Sequence, residues 1–191
     1  MHRREIHTAL DENPYLLRPD NLPVNYGKGY CFVDLGRTTA AVINLSGQIY
    51  LENQKAENPF LRADELLEKA KADGAVHIFV DFHAEATSEK RALGIYLDGK
   101  ITGFFGTHTH VQTSDLQILP KCTGYITDLG MTGTIDSVLG VESSIIIDRL
   151  RNGKTDKFRL SEGRCMINGC IFESDKDGKV IKTEQIYIRE E

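Results

Sequence analysis

Apolar and polar positions alternate in distinct ways along the chain and predict a succession of strands and helices. Residues 30–34 and 38–45 are rich in β-branched and aromatic side chains and flank a turn at 35–37, so we expect a hairpin. Residues 63–72 are helical in composition, with acidic residues in the first turn and lysine near the end. At helical spacing one face of that helix is apolar and carries Ala63, Leu66, Leu67 and Ala70.

Two nearly continuous apolar runs predict the central strands of a sheet. Residues 76–82 follow the turn signal Asp73-Gly74 and have the pattern of a strand buried on both faces. A helix is expected over residues 88–97, and a second apolar strand over residues 101–105. Strand, helix and strand in this order are typical of a layered α/β domain.

The remaining segments predict further strands and two helices. We expect a short strand over residues 125–127 and a helix over residues 143–150 that ends before Gly153. The carboxyl-terminal tail alternates as strands do on either side of a hairpin turn at Gly178. At the other end, a helix over residues 3–10 is expected to stop before Pro14.

Length and composition limit the classes of protein to consider. The chain has 191 residues, enough for one compact domain, which we expect to span residues 1–191. With 40% hydrophobic and 27% charged residues, its composition is that of a globular protein. The formal charge is -5 and the charged residues are interspersed, whereas a protein that binds DNA through phosphates shows a basic stripe. We therefore do not expect DNA binding.

Compartment and redox state follow from two further observations. No apolar run approaches the roughly 20 residues that a membrane span needs, and the first residues contain no apolar signal core. We expect a soluble cytoplasmic protein without a membrane partner. The 4 cysteines are scattered and form no C-x-x-C pair, so we expect them to be reduced and mostly buried.

Three histidines follow the predicted ends of the two apolar strands. His83 comes directly after the first strand, and His108 and His110 follow the second. Side chains two residues apart on an extended segment point to the same side, and open sheets place ligands beyond the carboxyl ends of their strands. Neutral imidazole is the commonest nitrogen ligand of first-row metals, so all three are candidate metal ligands. The alternative interpretation is that each ring caps a strand or donates to a backbone carbonyl.

Polar residues around His83 have two interpretations. Asp81 and Glu85 could orient a ligand histidine or contact a substrate. Residues 87–89, Thr-Ser-Glu, are better explained as the amino-terminal cap of the helix that follows them.

Other polar residues are assigned no ligand role. His77 lies inside a strand and is expected to be a satisfied core or edge residue, while His2 and His7 have no assigned function. The loop at residues 128–134 is Gly-rich but lacks the spacing and the lysine of a phosphate-binding P-loop. The acidic residues at 175–177 lack the other oxygen ligands of a calcium loop and predict a turn.

Three segments are specific in combination. They are G-T-H-T-H at residues 106–110, D-F-H-A-E-A-T-S-E-K at residues 81–90 and Y-I-T-D-L-G-M-T-G at residues 125–133. With them, most of the chain closely resembles the YmdB-like metallophosphoesterases of the calcineurin-like superfamily. The resemblance implies an α/β/β/α sandwich with mixed sheets, and phosphodiesterase activity on small phosphodiesters with cyclic nucleotides as substrates.

The resemblance also implies a site for two divalent metal ions, iron or manganese. His83 and His108 match two ligands of one metal, and His110 matches a ligand of the other. Two metals clamp a phosphoryl group and lower the pKa of bound water, so that hydroxide can attack. No protein nucleophile is required, and we assign no catalytic side chain.

The chain departs from the family pattern in its amino-terminal region. Family members begin with a strand carrying G-D, followed by G-E-N and G-N-H-T-W segments, which supply carboxylates, asparagine ligands and a histidine that protonates the leaving group. None of these motifs occurs in the sequence, so we expect a truncated sandwich that lacks the amino-terminal part. Three neutral histidines cannot offset the charge of two divalent ions. We therefore expect weak binding of one metal at most, and little or no hydrolysis by this chain alone.

Three hypotheses stay open. The first is part of a phosphodiesterase whose remaining motifs are encoded upstream or supplied by a complementing chain; upstream codons for G-N-H-T-W would support it. The second is a non-catalytic metal- or protein-binding module whose exposed sheet edge or apolar face favours homo-oligomers. The third is a structural zinc domain that uses Cys165 and Cys170, although their spacing is unusual.

Overall fold

The structure is a computed structural model that describes residues 4–191, with side chains described from Ile6 onward. His2 and the first residue of the predicted amino-terminal helix lie outside the described residues. In chain order the elements are α1 (Arg4–Glu12), β1 (Tyr30–Asp34), β2 (Thr39–Ser46), a short 3-10 helix (Glu52–Gln54), α2 (Pro59–Ala72), β3 (His77–His83), α3 (Thr87–Leu97), β4 (Gly103–Thr107), β5 (Gln117–Ile118), β6 (Gly124–Ile126), β7 (Gly133–Thr134), α4 (Ser143–Asn152), β8 (Cys165–Ser174) and β9 (Val180–Arg189).

Six strands form a mixed sheet in the order β1-β2-β3-β4-β6-β5. The predicted hairpin is confirmed, because β1 pairs antiparallel with β2, while β2, β3, β4 and β6 run parallel. Parallel strands need long crossovers, and α2 and α3 provide two of them. The carboxyl ends of these parallel strands therefore meet at one edge of the sheet.

Helices α2 and α3 cover one face of this sheet. The predicted apolar face of α2 is confirmed, and its buried residues join a core with β2 and β3. The helix begins earlier than composition alone predicted, because Asn58 caps it by accepting from the backbone N–H groups of Phe60 and Leu61, and Pro59 occupies its first position. On α3 the side chains of Leu93 and Leu97 are fully buried in the same core.

A second, three-stranded antiparallel sheet packs on the other face, in the order β7-β8-β9. The contact depends on Phe172, whose ring lies over Gly103 and Gly124. A Cβ added at Gly124 would lie only 2.4 Å from that ring, so a larger residue would separate the sheets. The arrangement confirms an α/β sandwich of two sheets with a mixed larger sheet. Helix α4 lies beyond β7 and buries only Ile145.

Strand β3 is less buried than its apolar sequence predicted. Its buried residues alternate with half-buried ones, because the three-stranded sheet covers only part of the second face. His77, at the start of this strand, is satisfied as predicted, since its Nδ1 lies 3.2 Å from the hydroxyl of Ser174 across the two sheets. The predicted turn after β8 is also confirmed, with Asp175 accepting from the backbone N–H groups of Asp177 and Lys179.

The cysteines are less buried than expected. All four are free thiols, but three are half-buried and Cys165 is exposed. Cys165 and Cys170 occupy opposite faces of β8, because they are an odd number of residues apart on a regular strand. The two thiols therefore cannot share a zinc ion, which argues against the structural zinc domain.

The outer face of the three-stranded sheet carries exposed isoleucines. Ile167 and Ile188 lie opposite each other across β8 and β9, with 48% and 58% of their surface exposed, and Ile171 continues the row. Exposed apolar residues in a row can mark an interaction surface, and association of this chain stays a prediction. None of the helices described between residues 4 and 191 is both long and apolar enough to cross a membrane.

Candidate active site

The parallel register brings three strand ends together. Ser46 lies opposite His83, and His83 lies opposite Thr107 at the same edge of the sheet. The sequence prediction that the histidines follow neighbouring strand ends is confirmed. The loop that carries His108 and His110 begins directly after Thr107.

His83 and His108 form a close pair. The Nε2 atom of His83 lies 3.0 Å from the Nδ1 atom of His108, and the two rings meet edge to face with centroids 4.7 Å apart. Both nitrogens therefore face the same point in space. Two imidazole nitrogens so arranged can share a proton or bind one cation between them.

A hydrogen-bond chain holds the opposite side of the His83 ring. Thr107 Oγ1 lies 3.3 Å from His83 Nδ1 and donates to Asp81 Oδ1 at 2.9 Å. The other oxygen of Asp81 accepts from the side-chain amide of Asn44 at 2.6 Å. Asp81 therefore acts on His83 through Thr107, which is the orienting role that was one of its two predicted interpretations.

The environment favours neutral forms of both groups. Burial lowers the pKa of the His83 imidazole, and nearby positive charge, first that of His108, acts in the same direction. Burial raises the pKa of the Asp81 carboxyl, while hydrogen bonds from Thr107 and Asn44 oppose that shift. Neutral imidazole is the form that binds metal, so the surroundings of His83 suit the role of a metal ligand.

Glu85 orients the second ring. Its carboxylate lies 3.1 Å from His108 Nε2, on the side of the ring away from His83. A carboxylate at one nitrogen fixes the ring tautomer and leaves the other nitrogen free to accept a hydrogen bond or to bind a metal ion. The predicted orienting role of Glu85 is thus visible in its contacts.

His110 is placed differently from its expected position. His108 and His110 have φ values of 107° and 65°, so the segment is not extended and the two side chains do not alternate as on a strand. The sequence argument that they share one side of an extended segment was wrong. His110 is exposed and lines two cavities that neither His83 nor His108 lines. Backbone in this region is strained for residues with a side chain, and such strain is concentrated at functional sites.

A buried ion pair fixes the loop between the two histidines. Lys90 Nζ on α3 donates to Asp128 Oδ2 at 2.8 Å, and both side chains are only 1% exposed. The same oxygen accepts from the backbone N–H of Thr109 at 3.1 Å, and Oδ1 accepts from that of Gly130 at 2.9 Å. Asp128 therefore connects helix α3, the histidine loop and the loop after β6.

The start of α3 differs from the predicted cap. Its N-cap is Ala86, and no described side chain makes a capping hydrogen bond, so the prediction of Thr87 or Ser88 as the cap was wrong, whereas Glu89 lies in the first turn as predicted. Glu89 reaches the loop after β2, where it accepts from the backbone N–H groups of Gln48 and Ile49. This buried carboxylate ties the helix to a second loop at the edge of the site.

Two cavities are lined by histidines of the candidate site. One has a volume of about 520 Å³ and is bounded by His83, Asn44 and the loop of residues 18–26. The other, of about 630 Å³, is bounded by His110, the loop of residues 131–139 and the inner side of β8 and β9. The histidines therefore stand between two spaces large enough for a small molecule.

Sequence comparison decides the family. The chain matches the model of the YmdB-like protein family over residues 1–186. It belongs to that family. Among curated relatives it is 44% identical over 191 residues to the 2',3'-cyclic-nucleotide 2'-phosphodiesterase of Bacillus subtilis strain 168, covering 99% of this chain and 71% of the relative. A relative from Mycoplasma pneumoniae is 41% identical over 92% of this chain, which spans 64% of that relative.

Solved structures of two relatives share the fold of this YmdB-like chain. A phosphatase from Mycoplasma pneumoniae superposes with a TM-score of 0.89 at 36% identity, covering 98% of this chain and 68% of the other. A protein from Thermus thermophilus has a TM-score of 0.89 at 35% identity and covers 99% and 73%. The relatives are named as a phosphodiesterase and a phosphatase, so the family is one of hydrolases.

The side chains present in this YmdB-like chain fit part of a metal site. His83 and His108 offer two nitrogens aimed at one point, each with its ring held from behind. Within the described range, residues 4–191, no three His, Cys, Asp or Glu side chains are arranged to hold a metal ion. The donor set therefore suits two ligand positions of one ion, and metal binding itself stays a prediction.

Sequence reasoning missed Lys90 and Asp128 as positioning residues. The interpretation of residues 128–134 as a Gly-rich loop gives Asp128 no specific role. Lys90 precedes the buried Leu93 and Leu97 by three and seven residues, which places it on the buried face of α3. A lysine on the apolar face of a helix requires a partner, and this spacing was the signal available in the sequence.

Proposed function

We propose that this chain supplies the histidine side of a metal-dependent phosphodiesterase site that acts on cyclic nucleotides. The observation that carries the proposal is the approach of His83 Nε2 and His108 Nδ1 to 3.0 Å at the carboxyl edge of the sheet. Membership of the YmdB-like family and the name of the Bacillus subtilis relative support the substrate class.

His83 and His108 would hold one divalent cation, iron or manganese, and His110 is the candidate ligand of a second. A bound ion supplies charge stabilisation for the phosphoryl oxygens and lowers the pKa of its water. The chain's own groups prepare this site. Glu85 and Thr107 hold the two rings with their free nitrogens facing each other, and burial keeps His83 in its neutral, binding form.

The proposal includes low activity of these 191 residues on their own. Imidazole ligands bring no negative charge, and a pair of divalent ions is ordinarily bridged and neutralised by carboxylates. Two other acidic side chains of the site are occupied, since Asp128 is paired with Lys90, and Asp81 accepts from Thr107 and Asn44. Glu85 is half exposed and contacts His108, so it orients a ligand rather than bridging ions.

The test is a paired measurement of metal binding and turnover. The purified chain is titrated with Mn²⁺ by calorimetry, then assayed with bis(4-nitrophenyl) phosphate and with 2',3'-cyclic AMP, with His108→Ala and the distant His77→Ala as matched variants. We expect weak binding of one ion that is lost in His108→Ala and kept in His77→Ala, with little or no turnover. Binding that survives His108→Ala would contradict the proposed ligand role. Robust turnover by the chain alone would contradict the proposed incompleteness.

A further inference from the structure

The cavity beside His83 has features that the metal site does not explain. Its volume of about 520 Å³ falls within the range of small-molecule pockets. Apolar side chains of the loop of residues 18–26 form one wall, and three side-chain amides form the other: Asn44, Asn53 and Gln54. A site with one apolar wall and a few polar groups is typical for a flat, partly polar ligand.

A buried cation lies in the wall of this cavity. Arg18 is 9% exposed. Its guanidinium donates to backbone carbonyls, those of Tyr26 at 2.8 Å, Pro19 at 2.6 Å, Asp20 at 3.1 Å and Val24 at 3.5 Å. No carboxylate among the described residues forms an ion pair with it. These bonds fold the loop around the side chain and leave its charge without a counter-ion, a state that costs free energy until an anion comes near.

The neighbouring carboxylate does not compensate this charge. Asp20 binds Arg62 through one oxygen, at 2.6 Å from Arg62 Nε, and accepts from the backbone N–H of Gly29 through the other. Both of its oxygens are therefore turned to other partners. The field of Arg18 in the cavity wall consequently favours an anionic ligand.

An unpaired acceptor also lines the cavity. Asn44 donates through its amide to Asp81, but its Oδ1 atom is buried and has no hydrogen-bond partner among residues 6–191. Buried polar atoms are nearly always paired, so this oxygen is suited to a donor that a ligand brings. Ribose hydroxyls and the exocyclic amines of nucleobases are donors of this kind.

Resting on the proposed function, we propose that this cavity is the nucleoside subsite. The phosphoryl group of a nucleotide lies toward His83, the base packs on the apolar loop of residues 18–26, and the sugar or base donates to Asn44. The ring of Tyr26 is stacked on His7 at 3.8 Å between centroids, which keeps this wall in place before a ligand arrives.

The second cavity, beside His110, fits a nucleoside phosphate less well. It also has an unpaired acceptor, Asn168 Oδ1, but the arginine in its lining, Arg189, is exposed to solvent. Water screens an exposed charge, so this cavity lacks the uncompensated buried cation that distinguishes the one beside His83. The two cavities therefore provide a comparison within the same molecule.

The test measures nucleotide binding in the presence of EDTA, so that neither metal nor turnover is needed. Adenosine 3'-monophosphate, ribose 5-phosphate and inorganic phosphate are titrated into the full chain and followed by amide NMR shifts. We expect saturable binding of the nucleotide, at least about tenfold tighter than that of the other two, with shifts in residues 18–26. Equal binding of inorganic phosphate, or no saturable nucleotide binding, would overturn the subsite.

A pair of matched variants locates the site. Val24→Asp places a carboxylate beside Arg18 and should weaken nucleotide binding by about tenfold. Val111→Asp adds the same charge to the other cavity and should change the affinity for the nucleotide by less than about twofold. Equal weakening by both variants would overturn the assignment. The isosteric Asn53→Asp, at an exposed position of the same wall, replaces Val24→Asp if that variant does not fold. Binding of Mn²⁺ to the same variants, which involves no nucleoside, tests the proposed function separately.

Discussion

Removal of the lysine from the buried Lys90–Asp128 pair should destabilise the whole domain. Both side chains are 1% exposed, and the ammonium lies 2.8 Å from the carboxylate. Replacement by Met keeps the length and apolar character of the stem but leaves Asp128 charged and without its ionic partner. Breaking a buried pair in this way costs about 3–5 kcal/mol. The remaining bonds from Thr109 and Gly130 favour the lower end, about 3 kcal/mol.

The assay is urea denaturation followed by circular dichroism, with an exposed pair as the matched control. Lys71 and Glu68 are 60% and 75% exposed and 2.7 Å apart, so Lys71→Met should cost less than about 1 kcal/mol. The double variant Lys90→Met with Asp128→Asn removes both charges. Its loss of unfolding free energy should be smaller than the sum of the losses in the two single variants. A cost for Lys90→Met no larger than that for Lys71→Met would refute this account of the pair.

Asp128 also holds the loop of the two histidines, and this local effect can be measured separately from the stability of the whole domain. Asp128 accepts from the backbone N–H of Thr109, between the two loop histidines. In Asp128→Ala, hydrogen exchange of the Thr109 amide should become faster relative to amides in the centre of β3 under native conditions. An unchanged ratio of the two exchange rates would show that Asp128 does not hold the histidine loop.

Two further predictions concern the sheets. Gly124→Ala should lower the free energy of unfolding by about 1–3 kcal/mol, because the new Cβ would meet the ring of Phe172. Urea denaturation would measure this loss. An unchanged denaturation midpoint would contradict the close packing of the two sheets. Burial raises the pKa of the Cys170 thiol to about 11, so at pH 8 only about one Cys170 thiol in a thousand is ionised. Iodoacetamide should therefore react first with Cys165, which is exposed. The rate for Cys170 should then rise about tenfold per pH unit up to its pKa, as peptide mapping by mass spectrometry would show; equal labelling of both thiols at pH 8 would contradict its burial.

The elements with a local sequence signal were predictable. The hairpin of β1 and β2 follows from β-branched and aromatic residues on either side of a turn, and the apolar face of α2 follows from helical spacing. The ends of β3 and β4 follow from two apolar runs, and these ends place His83 and His108. Their close approach follows from parallel pairing, which aligns His83 with Thr107.

Features that depend on contacts between distant residues were not predictable in the same way. Lys90 and Asp128 are 38 residues apart, and neither residue indicates its partner locally. The direction of His110 depends on positive φ values in its loop, which no hydrophobic pattern encodes. The hydrogen-bond partners of Glu89 were not predictable, because the backbone groups that it accepts from belong to a loop 40 residues earlier in the chain.

The central claim is that His83 and His108 bind one ion between their facing nitrogens. Titration with paramagnetic Mn²⁺, followed in the imidazole region of the NMR spectrum, tests it directly. His77 is the internal control, because it lies at the opposite end of β3, roughly 20 Å from His83 at the usual rise per strand residue. We predict that the resonances of His83 and His108 broaden together at the lowest Mn²⁺ concentrations while those of His77 stay sharp. Simultaneous broadening of all three, or of neither member of the pair, would contradict the claim.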